Sequence, residues 1–454
     1  MSNGNSMFEQ LGQYIEDAMQ RYHVPGAAVG IQYEGREYTA GFGVTNVNHP
    51  LPVDGDTLFQ IGSTTKTFTA TTMMRLADQG HVELDAPVRK YLPAFRLQDE
   101  DAAGRVTVRQ LFTHTGGWLG DFFEDTGSGD DALARYVAQM AEIPQLAPLG
   151  TVWSYNNAAL AVAGRVIETV TGKTYEAALA ALVLKPLGLG MTFIWPTDVM
   201  THGFAVGHIV HDEKPVVAEP WPLARSAHAV GGLTSTAKDQ LRYARFHMGD
   251  GRAEDGTRVL KPESVAHMQA RIIDAPLGEE MGLSWYSRRT DGGHILRHGG
   301  GTNGQLSAFW FVPERRFAFT LLTNADRGAE LLRDATRWAM QHYLGISDPE
   351  PARIAMGEEQ LKAYAGRYTA QLYDVELTVR DGQLMMQVRP HGGFPLKDSP
   401  PPPTPPPSRV AFTGVDRLVA LDPPHTDVPG EFLRNANGSI EWFRFGGRVR
   451  RREA

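Results

Sequence analysis

Two regions far apart in the chain have the pattern of β-hairpins, and a long helical stretch separates them. The first, AAVGIQYEGREYTAGFGVTN, turns at Glu34-Gly35, and the second, GQLSAFWFVPERRFAFTLLTN, has apolar and aromatic runs on both sides of PERR. One sheet assembled from both hairpins, with a mostly helical insertion at about residues 70–225, satisfies this order. We therefore expect an α+β fold over residues 1–346, an α/β sandwich with an antiparallel sheet and a helical subdomain.

The start of the chain predicts an amphipathic helix. Apolar side chains recur at three- and four-residue steps, at Phe8, Leu11, Ile15, Ala18 and Tyr22. Acidic residues interrupt any longer apolar run, so we expect no signal peptide. No stretch approaches the roughly 18 apolar residues of a membrane span. From these patterns we expect a soluble, cytoplasmic protein without a membrane partner.

The pattern changes after the second hairpin and the helical AELLRDATRWAMQHYLG that follows it. Residues 347–359 are polar and contain proline, which is typical of a linker. Residues 360–454 then contain short alternating strands, which predict a small antiparallel β-barrel. The DSPPPPTPPPSR insert within them predicts a stiff polyproline II loop. Residues near 391–408 are either a solvated spacer or a border of the active site.

Composition removes several classes of function. The 454-residue chain has no cysteine, which excludes thiol catalysis, disulfides and cysteine-bound metal. A net charge of -8 argues against a nucleic-acid or anionic-membrane surface. The histidines lack His-Glu-x-x-His spacing, so we expect no metal and no cofactor. The Gly-x-Ser-x-Gly pattern of α/β-hydrolases does not occur.

Three short motifs together indicate nucleophilic catalysis. In chain order they are Ser63-x-x-Lys66 in FQIGSTTKTF, Tyr155-x-Asn157 in WSYNNAAL, and His298-Gly299-Gly300 in LRHGGGTNG, at or just before an edge-like strand. Residues three apart on a helix share a face, so Lys66 can lie beside Ser63. Each motif alone is weak, and the order and spacing of all three carry the prediction.

A second Ser-x-x-Lys, from Ser235 to Lys238, has a structural explanation. Thr236 followed three residues later by Asp239 resembles a helix N-cap with a capping box. We therefore expect a helix to begin here and assign the nucleophile to Ser63.

With these motifs the chain resembles the serine β-lactamase and penicillin-binding-protein superfamily, on the side of class C β-lactamases, family VIII carboxylesterases and D-aminopeptidases. HVPGAAVGI, FTHTGG, GGLTSTAKD and YAGRY add to the resemblance. The last is similar to the start of a lipocalin-like domain that follows the catalytic domain in some members. The chain departs from β-lactamases at His298-Gly299-Gly300, where they carry Lys-Thr-Gly, which favours the esterase or peptidase branch.

The resemblance implies a role for each motif residue. Ser63 is the nucleophile, and its N–H and that of Gly301 stabilise the oxyanion. Either Lys66 or Tyr155 takes the Ser63 proton. We expect burial and the positive helix end to lower the pKa of Lys66, and a nearby cation to lower the pKa of Tyr155.

The remaining site residues would contact the substrate. Asn157 would hold Lys66 and offer its amide to the substrate, His298 would hydrogen-bond Tyr155 or the substrate, and Gly299 and Gly300 would line the binding site. We interpret His114 as structural. Aromatic candidates for the wall of an acyl pocket are Trp118, Phe122, Phe123, Trp153, Trp221 and Trp285.

These observations predict a serine hydrolase that cleaves small esters or lactones through an acyl-enzyme. A D-amino-acid-specific aminopeptidase or amidase is the alternative. A β-lactamase and a non-catalytic binding protein are less favoured, because the lysine of the third motif is replaced while the other catalytic residues are present. The expected partner is a small ester, lactone or short peptide, and a homo-oligomer stays open.

We predict that a fluorophosphonate labels Ser63, because only this serine combines with the other two motifs. Intact-mass spectrometry should find one adduct, which Ser63→Ala removes and Ser235→Ala retains. An adduct that survives Ser63→Ala would contradict the assignment.

Overall fold

The computed structural model describes residues 3–347, 352–395 and 397–453. The helices are α1 Asn3–Tyr22, α2 Thr65–Asp78, α3 Glu100–Arg105, α4 Val108–Phe112, α5 Ala132–Gln139, α6 Asn157–Thr171, α7 Tyr175–Leu179, α8 Pro196–Val199, α9 His228–Gly231, α10 Ala237–Met248, α11 Pro262–Gln269, α12 Gly328–Leu344 and α13 Glu358–Lys362. The first strands are β1 Gly26–Tyr33, β2 Arg36–Gly43, β3 Phe59–Gln60, β4 Thr192–Phe193, β5 His208–His211, β6 Lys214–Val217 and β7 Thr234–Ser235. Strands β8 Ile273–Asp274, β9 Glu280–Met281, β10 Tyr286–Thr290, β11 Gly293–Gly301, β12 Leu306–Val312 and β13 Phe317–Thr323 complete the first part of the chain.

Both predicted hairpins enter one sheet. Within the described residues, eight strands pair in the order β2-β1-β13-β12-β11-β10-β9-β8, so that β1 from the start of the chain lies beside β13. Helices α1 and α12 cover one face through apolar residues that include Leu11, Ile15 and Leu331. Helix α10 lies on the other face, where a Cβ on Gly30 would be 3.1 Å from Leu241 Cδ1. This confirms the predicted α+β class and makes the arrangement three-layered.

The segment between the hairpins is mainly helical and has its own core. Helices α2, α4, α5, α6 and α9 pack around apolar side chains that include Phe112, Leu160 and Val166. The segment also contains the two-stranded sheet of β5 and β6, which the sequence pattern did not predict. Its reason is local, because Asp212 and Glu213 both have positive φ and reverse the chain there.

In the described part of the C-terminal region, eight strands close into an antiparallel barrel. They are β14 Gly366–Thr369, β15 Tyr373–Arg380, β16 Gln383–Pro390, β17 Ser408–Gly414, β18 Arg417–Ala420, β19 Pro429–Arg434, β20 Ile440–Phe445 and β21 Arg448–Arg452. Each pairs with the next, and β14 pairs with β21. Aromatic side chains such as Tyr368, Phe412 and Phe432 fill the interior. Of the predicted linker 347–359, residues 348–351 lie outside the described residues. Ile354, which belongs to the predicted linker, pairs with Phe412 of barrel strand β17.

The strands that the alternating pattern predicts in residues 360–454 are GRYTAQLY, VELTVRDGQLMMQVRP, RVAFTGVDRLVAL and SIEWFRF, and they do not include β19 and β21. The RVRRR sequence of β21 lacks an apolar alternation, although Val449 and Arg450 are buried. Arg450 is buried because its guanidinium donates to the carbonyls of Phe445 and Arg448, both at 2.8 Å. Hydrogen bonding here replaces the apolar pattern that normally marks a strand. Among the helices that the structure describes, none is both long and apolar enough to cross a membrane.

A buried ion-pair network joins α7 to the start of α9. Glu176 Oε1 lies 2.8 Å from His228 Nδ1 and 3.1 Å from Arg225 Nε, and the Glu176 side chain is 6% exposed. Burial raises the pKa of Glu176, but the hydrogen bonds from His228 and Arg225 outweigh it and lower the pKa to about 2. The network holds α9, whose Val230 contacts the active site described below.

We predict that Glu176→Gln lowers the free energy of unfolding by about 3 kcal/mol at pH 7, because it leaves the largely buried Arg225 guanidinium with only the exposed Asp130 carboxylate as a charged partner. The folded pKa lies below the unfolded value near 4.5, so this contribution is complete above that value and is lost as the pH falls towards 2. Urea unfolding from pH 7 to pH 2.5 should show wild type and variant converging. Asp56→Asn, which breaks the exposed pair with Lys238, is the control and should cost less than a third as much. A pH-independent difference would contradict the ion-pair explanation.

Candidate active site

Two glycines let the end of β11 approach the turn that carries Ser63. Ser63 lies in a 3₁₀ turn, Gly62–Thr64, directly before α2. A Cβ on Gly300 would lie 1.9 Å from the Ile61 carbonyl oxygen and 2.7 Å from the Ser63 nitrogen. Gly62 has φ 49° and faces Gly301 in the same way. Side chains at these positions would therefore separate β11 from the turn.

The position of β11 differs from the expectation of an edge strand. Residues Gly293 to Arg297 pair with β10 and residues Leu296 to Gly301 pair with β12, so that its second half, His298 to Gly301, pairs with β12 alone. The open side of this second half faces the Ser63 turn. The strand is thus internal to the sheet but has an edge where the motif residues lie.

Lys66 lies beside Ser63, as the three-residue spacing predicted. Its Nζ is 2.9 Å from Ser63 Oγ and donates to the Val230 carbonyl oxygen at 2.9 Å. The side chain is fully buried. Burial holds the pKa of Lys66 well below its ordinary value, the charge of Arg448 lowers it further, and Asp121 opposes them. A neutral Lys66 can accept the proton of the Ser63 hydroxyl.

Tyr155 lies on the other side of this pair. The Lys66 Nζ and the Arg448 guanidinium carbon are each 4.9 Å from the centroid of its ring. The expectation that a cation lowers the pKa of Tyr155 was wrong in its net direction. Burial raises this pKa above the ordinary value and outweighs the hydrogen bond with Ser63 and the charge of Arg448, which both lower it. The phenol is therefore a proton donor at neutral pH.

His298 is buried against the same tyrosine. Its Nδ1 lies 2.6 Å from the Gly299 carbonyl oxygen, so Nδ1 carries the proton and Nε2 is left as an acceptor. Nε2 has no hydrogen-bond partner among the described residues. Burial, with a smaller effect of the Lys66 charge, lowers the pKa of His298 to about 3. His298 thus presents an uncharged acceptor to the site at neutral pH.

Asn157 takes a different partner from the one expected. Its Nδ2 donates to Asp121 Oδ1 at 2.8 Å, and within the described residues the Lys66 hydrogen bonds go to Ser63 and Val230 instead. Asp121 in turn accepts from Arg448, with Nε at 2.7 Å from Oδ2 and Nη2 at 3.2 Å from Oδ1. Sequence analysis missed Asp121 and Arg448, which are 327 residues apart and belong to no recognisable motif.

A cavity of about 690 Å³ opens at Ser63. Phe122, Phe123 and Trp153 line it as predicted, together with Tyr136 and Tyr286. The other predicted wall residues do not. Trp118 packs against Phe95 in the helical core, Trp285 packs against Tyr243 and His247, and the Trp221 indole donates to the Ala205 carbonyl. Trp118 and Trp285 are buried in the core, and Trp221 is partly exposed outside the cavity.

The barrel contributes to the same cavity. Phe394 and Pro395, which precede the proline-rich insert, line it together with Leu372, Tyr373, Pro429, Gly446, Gly447 and Arg448. Residues near 391–408 therefore border the Ser63 pocket at their first end, whereas the proline run that follows is mostly exposed and lies outside the lining. Phe394 packs edge-on against Phe123, with ring centroids 5.2 Å apart.

Two further expectations have clear outcomes. Thr236 caps α10 by accepting from the Asp239 backbone nitrogen, which confirms the structural explanation of the second Ser-x-x-Lys. The Asp239 carboxylate instead accepts from Met191 and Thr192, so the capping box is incomplete. His114 is fully buried, and its Nδ1 accepts from the Asn156 backbone nitrogen at 3.1 Å, which is a structural role.

Among the residues described, no cluster of three or more metal-binding side chains was found.

Known proteins are similar to this chain in sequence and in fold. The family model described as Beta-lactamase matches residues 11–343. Penicillin-binding protein 4 of Amycolatopsis lactamdurans is 35% identical over 342 residues, which cover 74% of this chain and 90% of that protein.

Two solved structures extend over both parts of the chain. SurE, which has also been solved with D-Leu, has a TM-score of 0.77 at 24% identity, covering 99% of this chain and 100% of SurE. The octameric penicillin-binding protein homologue from Pyrococcus abyssi has a TM-score of 0.65 at 23% identity, covering 99% of each chain. At these identities the two structures establish a shared fold.

We predict that Gly300→Ala slows fluorophosphonate labelling of Ser63 by about 100-fold or more, because the new Cβ would overlap the Ile61 carbonyl and displace the turn. Gly299→Ala is the comparison, since its Cβ would meet only the Ser307 carbonyl at 3.1 Å and should cost much less. Labelling rates by mass spectrometry measure both. Equal rates for the two variants would mean that the approach of β11 does not hold Ser63.

Proposed function

The chain belongs to the β-lactamase family, and from this we propose that it is a serine hydrolase that cleaves small esters or lactones through an acyl-enzyme on Ser63. The observation that carries the proposal is the 2.9 Å separation between Ser63 Oγ and the Nζ of a fully buried Lys66. A buried amine with a lowered pKa is suited to take a hydroxyl proton at neutral pH. The 690 Å³ cavity beside it has room for a small substrate.

In the proposed acylation, Ser63 Oγ attacks the substrate carbonyl carbon while its proton passes to Lys66. The carbonyl oxygen becomes the oxyanion and accepts hydrogen bonds from the N–H groups of Ser63 and Gly301. The bond to the leaving alcohol then breaks, and the alcohol takes a proton from the Tyr155 hydroxyl. The protonated Lys66 then passes its proton to Tyr155. Water attacks the acyl-enzyme by the reverse sequence, which releases the acid and restores Ser63.

The assignment of Lys66 as base and Tyr155 as acid has physical support. Burial moves their pKa values in opposite directions, lowering that of Lys66 and raising that of Tyr155. Groups whose environments separate their pKa values in this way are suited to act as a base and an acid. The alternative, a tyrosinate base, would need a buried anion that the Arg448 charge does not offset.

The electrostatics of the cavity favour an uncharged substrate. His298 is neutral where β-lactamases carry a lysine, so it offers no positive charge to a substrate carboxylate. The arginines that line the cavity already have carboxylate partners, Arg297 with Glu279 and Arg448 with Asp121. Aromatic side chains form much of the remaining wall. Esters and lactones satisfy these conditions better than β-lactams do.

A D-amino-acid-specific peptidase or amidase is the second candidate, and one observation favours it. Asp125 lines the cavity and is exposed, and its carboxylate accepts from the Gly127 backbone nitrogen. It could therefore bind the ammonium group of an amino-terminal residue. The other carboxylates of the lining are ion-paired, Glu124 with Lys397 at 2.7 Å and Glu279 with Arg297 at 2.6 Å. The D-Leu bound in the SurE structure is a property of that protein that fits this candidate.

Two expectations stay predictions within this proposal. A cytoplasmic location follows from the sequence pattern only. A homo-oligomer is supported by the octameric state of the Pyrococcus abyssi homologue, and light scattering of the purified protein would test it.

We predict that p-nitrophenyl butyrate is hydrolysed with a kcat/KM at least 100-fold above that for a chromogenic cephalosporin or a D-aminoacyl p-nitroanilide. Ser63→Ala should lower the ester activity by about 10³-fold or more, since removal of a nucleophile has effects of this size. Asp125→Asn separates the candidates, because it should affect only an amine-bearing substrate. Preferred turnover of the anilide, lost in Asp125→Asn, would replace the esterase by the peptidase, and efficient cephalosporin turnover would contradict both.

A further inference from the structure

The turn between β20 and β21 lies directly against the segment that carries Tyr155. Gly446 and Gly447 form this two-residue turn with φ of 57° and 76°, and Phe445 pairs with Arg448 across it. Positive φ at both positions is the type I′ geometry, which glycine adopts without strain. We call residues 444–449 the β20–β21 hairpin.

Three consecutive residues, Trp153, Ser154 and Tyr155, are hydrogen-bonded to this hairpin. Arg444 Nη1 donates to the Trp153 carbonyl at 2.9 Å. The Val449 nitrogen donates to Ser154 Oγ at 3.2 Å, and the Tyr155 nitrogen donates to the Gly447 carbonyl at 2.9 Å. The barrel therefore holds the backbone of Trp153 and Tyr155 and the side chain of Ser154.

The segment needs partners of this kind because it has no regular secondary structure. Residues 153–156 lie outside any helix or strand, so each buried backbone N–H must bond elsewhere. His114 accepts from Ser154 N through its carbonyl and from Asn156 N through its ring. The N–H of Tyr155 lies between these two and bonds to the barrel.

Arg448 extends the same contact to the rest of the site. Its guanidinium lies 4.9 Å from the Tyr155 ring centroid and binds both oxygens of Asp121. Asp121 Oδ1 also accepts from Asn157, so one carboxylate links the barrel to the asparagine of the second motif. A two-point pair of this type fixes orientation as well as distance.

We propose that the β20–β21 hairpin is a positioning element of the active site, which sets Tyr155 through Gly447 and sets Asn157 through Arg448 and Asp121. The barrel is then part of the catalytic apparatus, although none of its residues performs a chemical step. This inference rests on the proposed function of the Ser63 site. It predicts that a small change in the hairpin lowers kcat far more than a matched change elsewhere in the barrel that costs the same stability, while KM changes little.

The first experiment compares Gly447→Ala with Gly382→Ala. Gly382 lies in the turn between β15 and β16, where Asp381 and Gly382 have φ of 50° and 71°, and a Cβ there would meet no atom within 4 Å. Alanine is strained at both turns because of the positive φ, so both variants should lower the melting temperature by a similar amount. Only Gly447→Ala should move the carbonyl that binds Tyr155. We expect it to lower kcat for p-nitrophenyl butyrate and the labelling rate of Ser63 at least tenfold, with KM within threefold.

The second experiment compares Arg448→Met with Arg434→Met. Arg434 also binds both oxygens of one aspartate, Asp416, at 2.9 and 2.8 Å, but it lies outside the cavity lining. Arg448→Met should slow labelling at least tenfold, and Arg434→Met should leave it within twofold. The double variant Arg448→Met with Asp121→Asn should be no slower than Arg448→Met alone, because the two residues act in series.

These comparisons separate the inference from the proposed function. Wild-type protein that is not labelled at Ser63 would overturn the proposed function and, with it, this inference. Labelling of wild type with equal rates in Gly447→Ala and Gly382→Ala, or in Arg448→Met and Arg434→Met, would overturn only the positioning role. Should Gly447→Ala not fold, the arginine pair decides alone.

Discussion

The candidate active site depends on the burial of one amine. Lys66 is fully buried, and its hydrogen-bond partners, the Ser63 hydroxyl and the Val230 carbonyl, carry no charge. A protonated amine in such surroundings is unfavourable, so the environment itself favours the neutral form that can accept a proton. The protein then has to hold a polar side chain in its interior without charge compensation, which requires that every neighbouring element be well fixed.

Helix α2 shows how the interior accommodates this requirement. Its threonines are buried, and most of their hydroxyls donate to carbonyls one turn earlier. Thr69 and Thr71 also bond to the hydroxyls of Tyr175 and Tyr243 at 2.8 Å. Thr65 accepts from the Leu233 nitrogen. The Val230 carbonyl comes from α9, which the Glu176 network holds at its first residue, His228. The polar centre is therefore satisfied by hydrogen bonds, and the apolar core surrounds it.

The barrel reaches this centre from the outside. Its last hairpin bonds to the backbone around Tyr155, and Arg448 reaches Asp121 beneath the cavity. The same arginine contributes to the low pKa of Lys66. The barrel also lines the cavity, so both parts of the chain form the wall around Ser63.

Sequence reasoning worked where the signal was local. The hairpin at Glu34-Gly35, the helix cap at Thr236 and the pairing of Ser63 with Lys66 all depend on residues within a few positions of one another. It failed where a strand was stabilised by hydrogen bonds from arginine, as in β21. It also failed for aromatic residues such as Trp118, whose side chain suits the helical core as well as a pocket wall. Neither case leaves a periodic pattern in the chain.

The sequence by itself determined the α+β class, the barrel, the order of the three motifs and the side chains available for catalysis. Only the tertiary structure decided in which direction the pKa values of Lys66, Tyr155 and His298 move, because these values depend on burial and on charges from distant parts of the chain. It also decided that Asn157 donates to Asp121. The same carboxylate binds Arg448, which lies 327 residues away in the chain. A motif specifies which groups are present, whereas desolvation and long-range contacts determine what those groups can do.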